Sequence, residues 1–242
     1  MTVRIAMWSG PRNISTAMMR SFGARSDCVV SDEPFYGAYL KHSGAQHPMA
    51  SETIADMDCD WQSVLRAQSG EAPGGAPVWY QKHMPHHMVG PVSIDDMPGH
   101  RHAFLIRAPE RVVASYRKKN ELRSVEELGF AQVRDYFERE ADRLGSAPPV
   151  VDSDAILAAP AVVLAKLCEA LGIAWDPAML GWARGPHAED GVWGAHWYDA
   201  VNASTGFGPP PGDMPDLDGE YARAAEACRA DYEALARHAI SA

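Results

Sequence analysis

The sequence predicts an α/β protein with a parallel central sheet, because short apolar segments alternate along the chain with longer helical patterns. Its 242 residues, of which 46% are hydrophobic, are enough for one sizeable core, so we expect a single domain with a helical C-terminal region. Strands are predicted at 3–7, 28–31, 78–82, 103–107 and 150–152, and helices at 15–22, 61–68, 110–119, 125–143, 160–171 and 217–238.

The first strand runs through a tight loop into the first helix, and residues 9–16 of that loop read Ser-Gly-Pro-Arg-Asn-Ile-Ser-Thr. Free backbone N–H groups and the helix dipole favour an anion at such a junction, which indicates phosphate or sulfate binding. Gly10 is not followed by the second glycine and the lysine of a Walker A loop. The alternative is a plain turn in which Ser15 and Thr16 only cap the helix.

The second strand ends in Ser-Asp-Glu-Pro at residues 31–34, which places Glu33 at the same edge of the sheet as the anion loop. A carboxylate there is a candidate general base. The alternative is a carboxylate at a helix start, satisfied by backbone donors.

The third strand leads into Lys82-His83-Met84-Pro85-His86-His87. With an ordinary pKa of about 6.5, His83 is a second candidate base. The three histidines would chelate a metal only from one helix face, and Pro85 and the lack of a nearby carboxylate or cysteine set argue against that. We therefore predict no metal site.

The fourth strand is followed by Ala-Pro-Glu and a helix, and Arg107 and Ser115 stand eight residues apart across this junction. A guanidinium can bind phosphate oxygens through two parallel charge-assisted hydrogen bonds, and a hydroxyl can donate a third. The alternative is that Arg107 pairs with a carboxylate and Ser115 faces solvent.

These two junctions together resemble the donor-binding motifs of sulfotransferases that use 3′-phosphoadenosine 5′-phosphosulfate (PAPS). Residues 11–16 are similar to the 5′-phosphosulfate loop of that family, with Ile14 in the place of its glycine, and Arg107, Pro109 and Ser115 match its 3′-phosphate motif. The resemblance implies a three-layer P-loop fold with a central parallel sheet, and it implies that PAPS is bound by Pro11, Arg12, Asn13, Ile14, Ser15, Thr16, Arg107 and Ser115.

The resemblance also implies the chemistry, which is transfer of a sulfuryl group to a hydroxyl or amine of a small-molecule acceptor. Arg12 stands at the position of the catalytic lysine of the family, and its role would be electrostatic, because arginine does not release its proton. Glu33 resembles the proposed base of bacterial carbohydrate sulfotransferases. His83 resembles the catalytic histidine of cytosolic ones, although Lys82 is adjacent to it rather than two residues before it.

Two other functions remain open, a P-loop kinase of a small metabolite and a non-catalytic nucleotide-binding or anion-binding protein. The late Arg-Lys-Gly segment that cytosolic sulfotransferases use for the donor is absent. An aromatic cluster at residues 190–198 is predicted to pack as a lid on its own core, or else to form an acceptor pocket.

Composition limits the partners and the compartment. A formal charge of −10 argues against nucleic acid or an anionic membrane as a partner. No apolar run is long enough to span a membrane, the N-terminus lacks the pattern of a signal segment, and the four cysteines are scattered. We therefore expect a cytoplasmic protein with reduced thiols, and the pattern leaves room for a homodimer.

Overall fold

The computed structural model describes residues 2–242, and within them five parallel strands form one sheet. The strands lie in the order β2-β3-β1-β4-β5. The predicted α/β fold and all five predicted strands are confirmed, with ends that move by at most two residues. The strands are β1 (Val3–Ser9), β2 (Cys28–Asp32), β3 (Val78–His83), β4 (Arg101–Ile106) and β5 (Val150–Asp152).

Helices flank both faces of the sheet. They are α1 (Ser15–Gly23), α2 (Tyr36–Ser43), α3 (Ala50–Asp56), α4 (Trp61–Ser69), α5 (Pro109–Tyr116), α6 (Phe130–Leu144), α7 (Ser153–Ala158), α8 (Pro160–Ala170), α9 (Gly194–Trp197), α10 (Asp199–Asn202), α11 (Gly219–Ala227) and α12 (Arg229–Ala236).

The central strand β1 is apolar on both sides, as a strand covered by helices on both faces must be. Successive side chains alternate between the faces, so Ile5 and Met7 join the core beneath α1 and α8, while Ala6 and Trp8 join the core beneath α4, α6 and α12. All four are completely buried. The result is the three-layer arrangement that the sequence predicts.

Two of the predicted helices are interrupted. The helix predicted at 125–143 is a 3-10 turn (Val125–Leu128), then Gly129 with φ 74°, and then α6. Gly129 lies so close to the anion loop that a Cβ there would be 3.4 Å from the Cα of Gly10. The helix predicted at 217–238 divides at Cys228 into α11, which packs on α5, and α12, which packs on α6. The helix predicted at 110–119 ends at Tyr116.

Within residues 2–242, no helix has both the length and the apolar character that crossing a membrane requires. All four cysteines are free thiols.

Candidate active site

The loop between β1 and α1 holds two residues in the left-handed backbone region, Arg12 with φ 65° and Ile14 with φ 58°. This region costs an L-residue about 1–2 kcal/mol, and a β-branched residue such as isoleucine adopts it rarely. Asn13 helps to hold the loop, because its Nδ2 donates to the backbone oxygen of Gly10 at 3.1 Å and its own backbone oxygen lies 3.1 Å from Ser153 Oγ. Strained backbone of this kind is concentrated at ligand sites.

The structure brings this loop together with the β4–α5 junction. Arg12 Nε donates a hydrogen bond to Ser115 Oγ at 3.0 Å, and Arg107 Nη1 donates to the backbone oxygen of Arg12 at 2.9 Å. Ser115 therefore does not simply face solvent. Among residues 2–242 neither arginine forms an ion pair with a carboxylate, and the buried Nε of Arg107 has no hydrogen-bond partner. The two positive charges thus meet here without a directly paired carboxylate, and the nearby Asp154, which pairs with Arg111, acts on Arg107 only from a distance.

Burial acts on these two guanidinium groups in the same way. Removal from water lowers the pKa of Arg12 and of Arg107, although both stay far above neutrality. A nearby anion would restore the lost solvation of the charges, so this junction can bind one.

Every residue from Pro11 to Thr16 lines one cavity of about 940 Å³, together with Arg107 and Ser115. The N-cap position of α1 is occupied by Ile14, which makes no side-chain cap. Ser15 and Thr16 therefore do not cap the helix in the way that the plain-turn alternative requires.

Glu33 lines the same cavity from the end of β2 and is held by the buried Lys82. Lys82 Nζ donates to Glu33 Oε1 at 2.6 Å, to Asp32 Oδ1 at 2.8 Å and to the Tyr198 hydroxyl at 2.7 Å. The Tyr198 hydroxyl donates in turn to Asp32 Oδ2 at 2.6 Å. All three protons of the ammonium group are used, so this network of Lys82, Asp32, Glu33 and Tyr198 is fully bonded at the lysine.

The network changes how its members ionise. Burial opposes the charge of Lys82, but Asp32 and Glu33 outweigh it and raise the pKa of the lysine. Burial raises the pKa of Glu33 against the opposing effect of Lys82, which makes its carboxylate a stronger base.

The geometry of Glu33 is equally restricted. Its backbone φ is 45°, and α2 has Phe35, not Glu33, at its N-cap. The helix-start alternative is therefore wrong. Lys82 occupies Oε1, while Oε2 lies 3.6 Å from His87 Nδ1, too far for a hydrogen bond. Oε2 can therefore accept a proton from a molecule in the cavity.

His83, the other predicted base, does not line the cavity. Its ring is buried in the core, stacked on Trp8 with centroids 4.6 Å apart, and its Nε2 lies 3.2 Å from Gln81 Oε1. The reason is the two-residue period of β3, which sends Lys82 and His83 to opposite faces of the sheet. Because the lysine is adjacent to His83 rather than two residues before it, Lys82 reaches the cavity and His83 does not.

Sequence reasoning missed the residues that surround Glu33. His87, in a 3-10 turn after β3, packs against Tyr36 and Tyr39 with ring centroids 4.5 and 4.7 Å away. Burial lowers the pKa of His87 well below its usual range and that of His86 to about 4, so both are neutral at pH 7. The available signal was the group of histidines at 83, 86 and 87.

The aromatic cluster at residues 190–198 both packs on the core and lines the cavity. Trp193 and Tyr198 are buried against α2, and the Trp193 Nε1 donates to the Tyr198 hydroxyl at 3.2 Å. Trp193, Trp197 and Tyr198 also line the cavity. The packing of this segment on the core is therefore compatible with a place in the cavity wall, and a role in acceptor binding stays a prediction.

These features define an α/β protein with a cavity lined by two arginines at the carboxyl edge of a parallel sheet, the arrangement of a P-loop-like fold. A family model described as "Sulfotransferase domain" matches residues 3–238. The chain therefore belongs to the sulfotransferase domain family.

Solved structures agree with this fold. A sulfotransferase from Alicyclobacillus acidocaldarius superposes with a TM-score of 0.57 at 11% identity, over 99% of this chain and 98% of that one. The sulfotransferase domain from the curacin biosynthetic pathway gives a TM-score of 0.50 at 13% identity, over 95% of this chain and 98% of that one.

Two Arabidopsis thaliana proteins named branched-chain-amino-acid aminotransferase-like protein 2 and 1 are each 34% identical over 206 residues, or 85% of this chain. The matched part is 36% and 37% of their lengths, so the chain spans little more than a third of these relatives.

Proposed function

We propose that this chain is an enzyme that transfers a sulfuryl group from PAPS to a hydroxyl or amine of a small-molecule acceptor. One observation carries the proposal. Arg12, Arg107 and Ser115 meet beside the start of α1 with neither guanidinium group in an ion pair among residues 2–242, and the cavity that they line also contains Glu33. An anion-binding wall and a proton acceptor thus share one space, as sulfuryl transfer requires.

The donor wall, formed by residues 11–16, Arg107 and Ser115, fits a ligand with two separate anionic groups. The loop before α1 offers a helix N-terminus and Arg12 to the phosphosulfate. Arg107, whose buried Nε has no partner, and Ser115 offer hydrogen bonds to a second phosphate. The Ile14 side chain packs against the hydrophobic core beneath the sheet, so the departure from glycine does not remove the anion site.

In the proposed reaction the bond between sulfur and the bridging phosphate oxygen breaks as a bond from sulfur to the acceptor oxygen or nitrogen forms. Arg12 stabilises the negative charge that develops on the leaving phosphate. Glu33 Oε2 receives the proton of the acceptor, while Lys82 holds Oε1 and fixes the direction of the carboxylate. We also propose a cytoplasmic location, which the free cysteines support.

A calorimetric titration with adenosine 3′,5′-bisphosphate, beside ADP and ATP with magnesium, tests the donor site. We expect tight binding of the bisphosphate alone, because only it carries a 3′-phosphate for Arg107 and Ser115. A preference for ATP would instead indicate a kinase, and binding to none of them would contradict the proposal.

The variant Glu33→Gln separates catalysis from binding. It retains the size and the hydrogen-bonding oxygen of the side chain but accepts no proton at neutral pH. We expect it to bind the bisphosphate like the wild type and to lose turnover of PAPS with an acceptor panel. Bisphosphate binding without turnover in the wild type would indicate a non-catalytic binding protein.

A further inference from the structure

Beyond Glu33 the cavity has walls of a different character from the donor side. Aromatic rings dominate them, and five of the rings belong to Tyr36, Tyr39, Trp193, Trp197 and Tyr198. The faces of such rings attract cations through the ring quadrupole as well as apolar groups.

The cations that line this part of the cavity are already paired with carboxylates. Lys82 contacts Asp32 and Glu33, and Lys119 Nζ lies 2.8 Å from Asp199 Oδ2. Arg123, exposed at the rim, lies 3.6 Å from Glu121. Within residues 2–242, an anionic acceptor would therefore have to compete with a carboxylate for each cation on these walls.

The histidines of the same walls add no positive charge. Burial lowers the pKa of His47, of His86 and of His87, so all three rings are neutral at pH 7.

Glu127 is the opposite case, a half-buried carboxylate that lines the cavity without forming an ion pair within residues 2–242. Its Oε2 accepts hydrogen bonds from the Tyr116 hydroxyl at 3.1 Å and from the backbone N–H of Arg123 at 3.4 Å. Its Oε1 accepts none from the described part of the chain. One oxygen is thus fixed in place and the other is open to a ligand.

Glu127 lies beside the aromatic wall, because it is hydrogen-bonded to the Tyr116 hydroxyl and lines the cavity together with Tyr116 and Tyr39. Burial raises the pKa of Tyr116 and of Tyr39, and the Glu127 carboxylate raises both further. The charge of Glu127 also opposes the lowering of the pKa of His47 by burial. Gly129, two residues further along the chain, packs against the anion loop and His86 and so fixes the position of Glu127.

We propose that the acceptor is a positively charged alcohol or phenol, whose amine or ammonium group binds at Glu127 against the Tyr39 ring while its hydroxyl reaches Glu33. This inference rests on the proposed sulfuryl transfer and names the class of acceptor. The path between the two carboxylates runs along aromatic rings, because Tyr39 packs on His87 and His87 lies beside Glu33.

The test uses three phenols that differ in the charge of the side chain: tyramine, p-propylphenol and p-hydroxyphenylpropionate. Each is titrated into the complex of the protein with adenosine 3′,5′-bisphosphate and assayed as an acceptor with PAPS. We expect tyramine to bind and to react at least about tenfold better than p-propylphenol, since a cation on an aromatic face with a carboxylate gains about that much. The anionic phenol should be the poorest of the three.

Glu127→Gln should weaken tyramine to the level of p-propylphenol and leave p-propylphenol unchanged. The neighbouring Glu126→Gln is the matched control, because Glu126 is exposed and does not line the cavity, and it should preserve the preference. Equal affinity for the three phenols, preference for the neutral or anionic one, or a Glu127→Gln variant that weakens all of them alike would overturn the inference.

Titration of the bisphosphate alone, on the same samples, separates the two levels of the proposal. Tight bisphosphate binding without a preference for tyramine overturns the acceptor class only. Absence of bisphosphate binding overturns the proposed function and the acceptor class with it.

Discussion

The two walls of the cavity treat their positive charges in opposite ways. On the donor wall the guanidinium groups of Arg12 and Arg107 donate to uncharged oxygens, those of Ser115 and of the Arg12 backbone. On the acceptor wall, formed by Glu33, Lys82 and the aromatic rings beside them, the ammonium group of Lys82 is surrounded by two carboxylates and a phenol at 2.6–2.8 Å. One wall leaves its positive charges open, and the other pairs its positive charge with carboxylates of the protein.

This difference separates binding from stability. Charges that are open before the ligand arrives contribute little to the folded state and much to the affinity for an anion. A buried charge with its partners in place is costly to break, because removal of one member leaves the others desolvated and unpaired. Substitutions on the donor wall should therefore change affinity, and substitutions in the Lys82 network should change stability.

The largest expected effect is that of Lys82→Met. The methionine fills a similar volume, but Asp32 and Glu33 lose the cation that lies 2.8 and 2.6 Å from them. We expect the free energy of unfolding in urea to fall by about 3–5 kcal/mol.

Lys41→Met is the control, because Lys41 is exposed on α2, and it should change the free energy of unfolding by less than about 0.5 kcal/mol. If Lys82→Met were as mild as this control, the network would not stabilise the protein and the comparison of the walls would be wrong.

Arg107→Ala should change the affinity for the donor product strongly and the stability of the protein little. We expect the affinity for adenosine 3′,5′-bisphosphate to fall by about 10- to 100-fold, since charge-assisted hydrogen bonds to the second phosphate are lost. Binding of 5′-AMP, which lacks that phosphate, should change little, and the free energy of unfolding of the free protein should change by less than about 1 kcal/mol.

The exposed Arg117→Ala, just beyond α5, serves as the matched variant for calorimetry and should leave both affinities intact. Equal losses for the bisphosphate and for 5′-AMP would remove Arg107 from the second phosphate.

The contrast also explains which parts of the site the sequence could predict. The donor wall depends on Arg107 and Ser115, which lie in one strand–helix unit, so their spacing alone indicates that they act together. The Lys82 network depends on Tyr198, which lies 116 residues further along the chain, and no local sequence pattern predicts that contact.

The choice between Glu33 and His83 depended on the register of one strand, because a single position in β3 decides which side chain faces the cavity. For a similar reason, the strands and helices were easier to predict than the points at which helices are interrupted. Apolar periodicity predicts a helix through Phe130–Leu144. The break just before that helix comes from the close approach of Gly129 to Gly10, which is a tertiary contact that periodicity does not show.

The donor wall also stores backbone strain, and Ile14 gives the smallest but most specific prediction. At φ 58° a Cβ is unfavourable, so Ile14→Gly should be more stable than Ile14→Ala by about 1 kcal/mol, although both lose the same packing against the core. Ile156, fully buried within α7, is the control, because in a helix glycine should be less stable than alanine by about 0.5–1 kcal/mol. Urea unfolding of the four variants measures both differences. The same sign at both positions would mean that Ile14 is not strained, whereas opposite signs would show that the donor loop is held in its shape by the rest of the fold before any ligand binds.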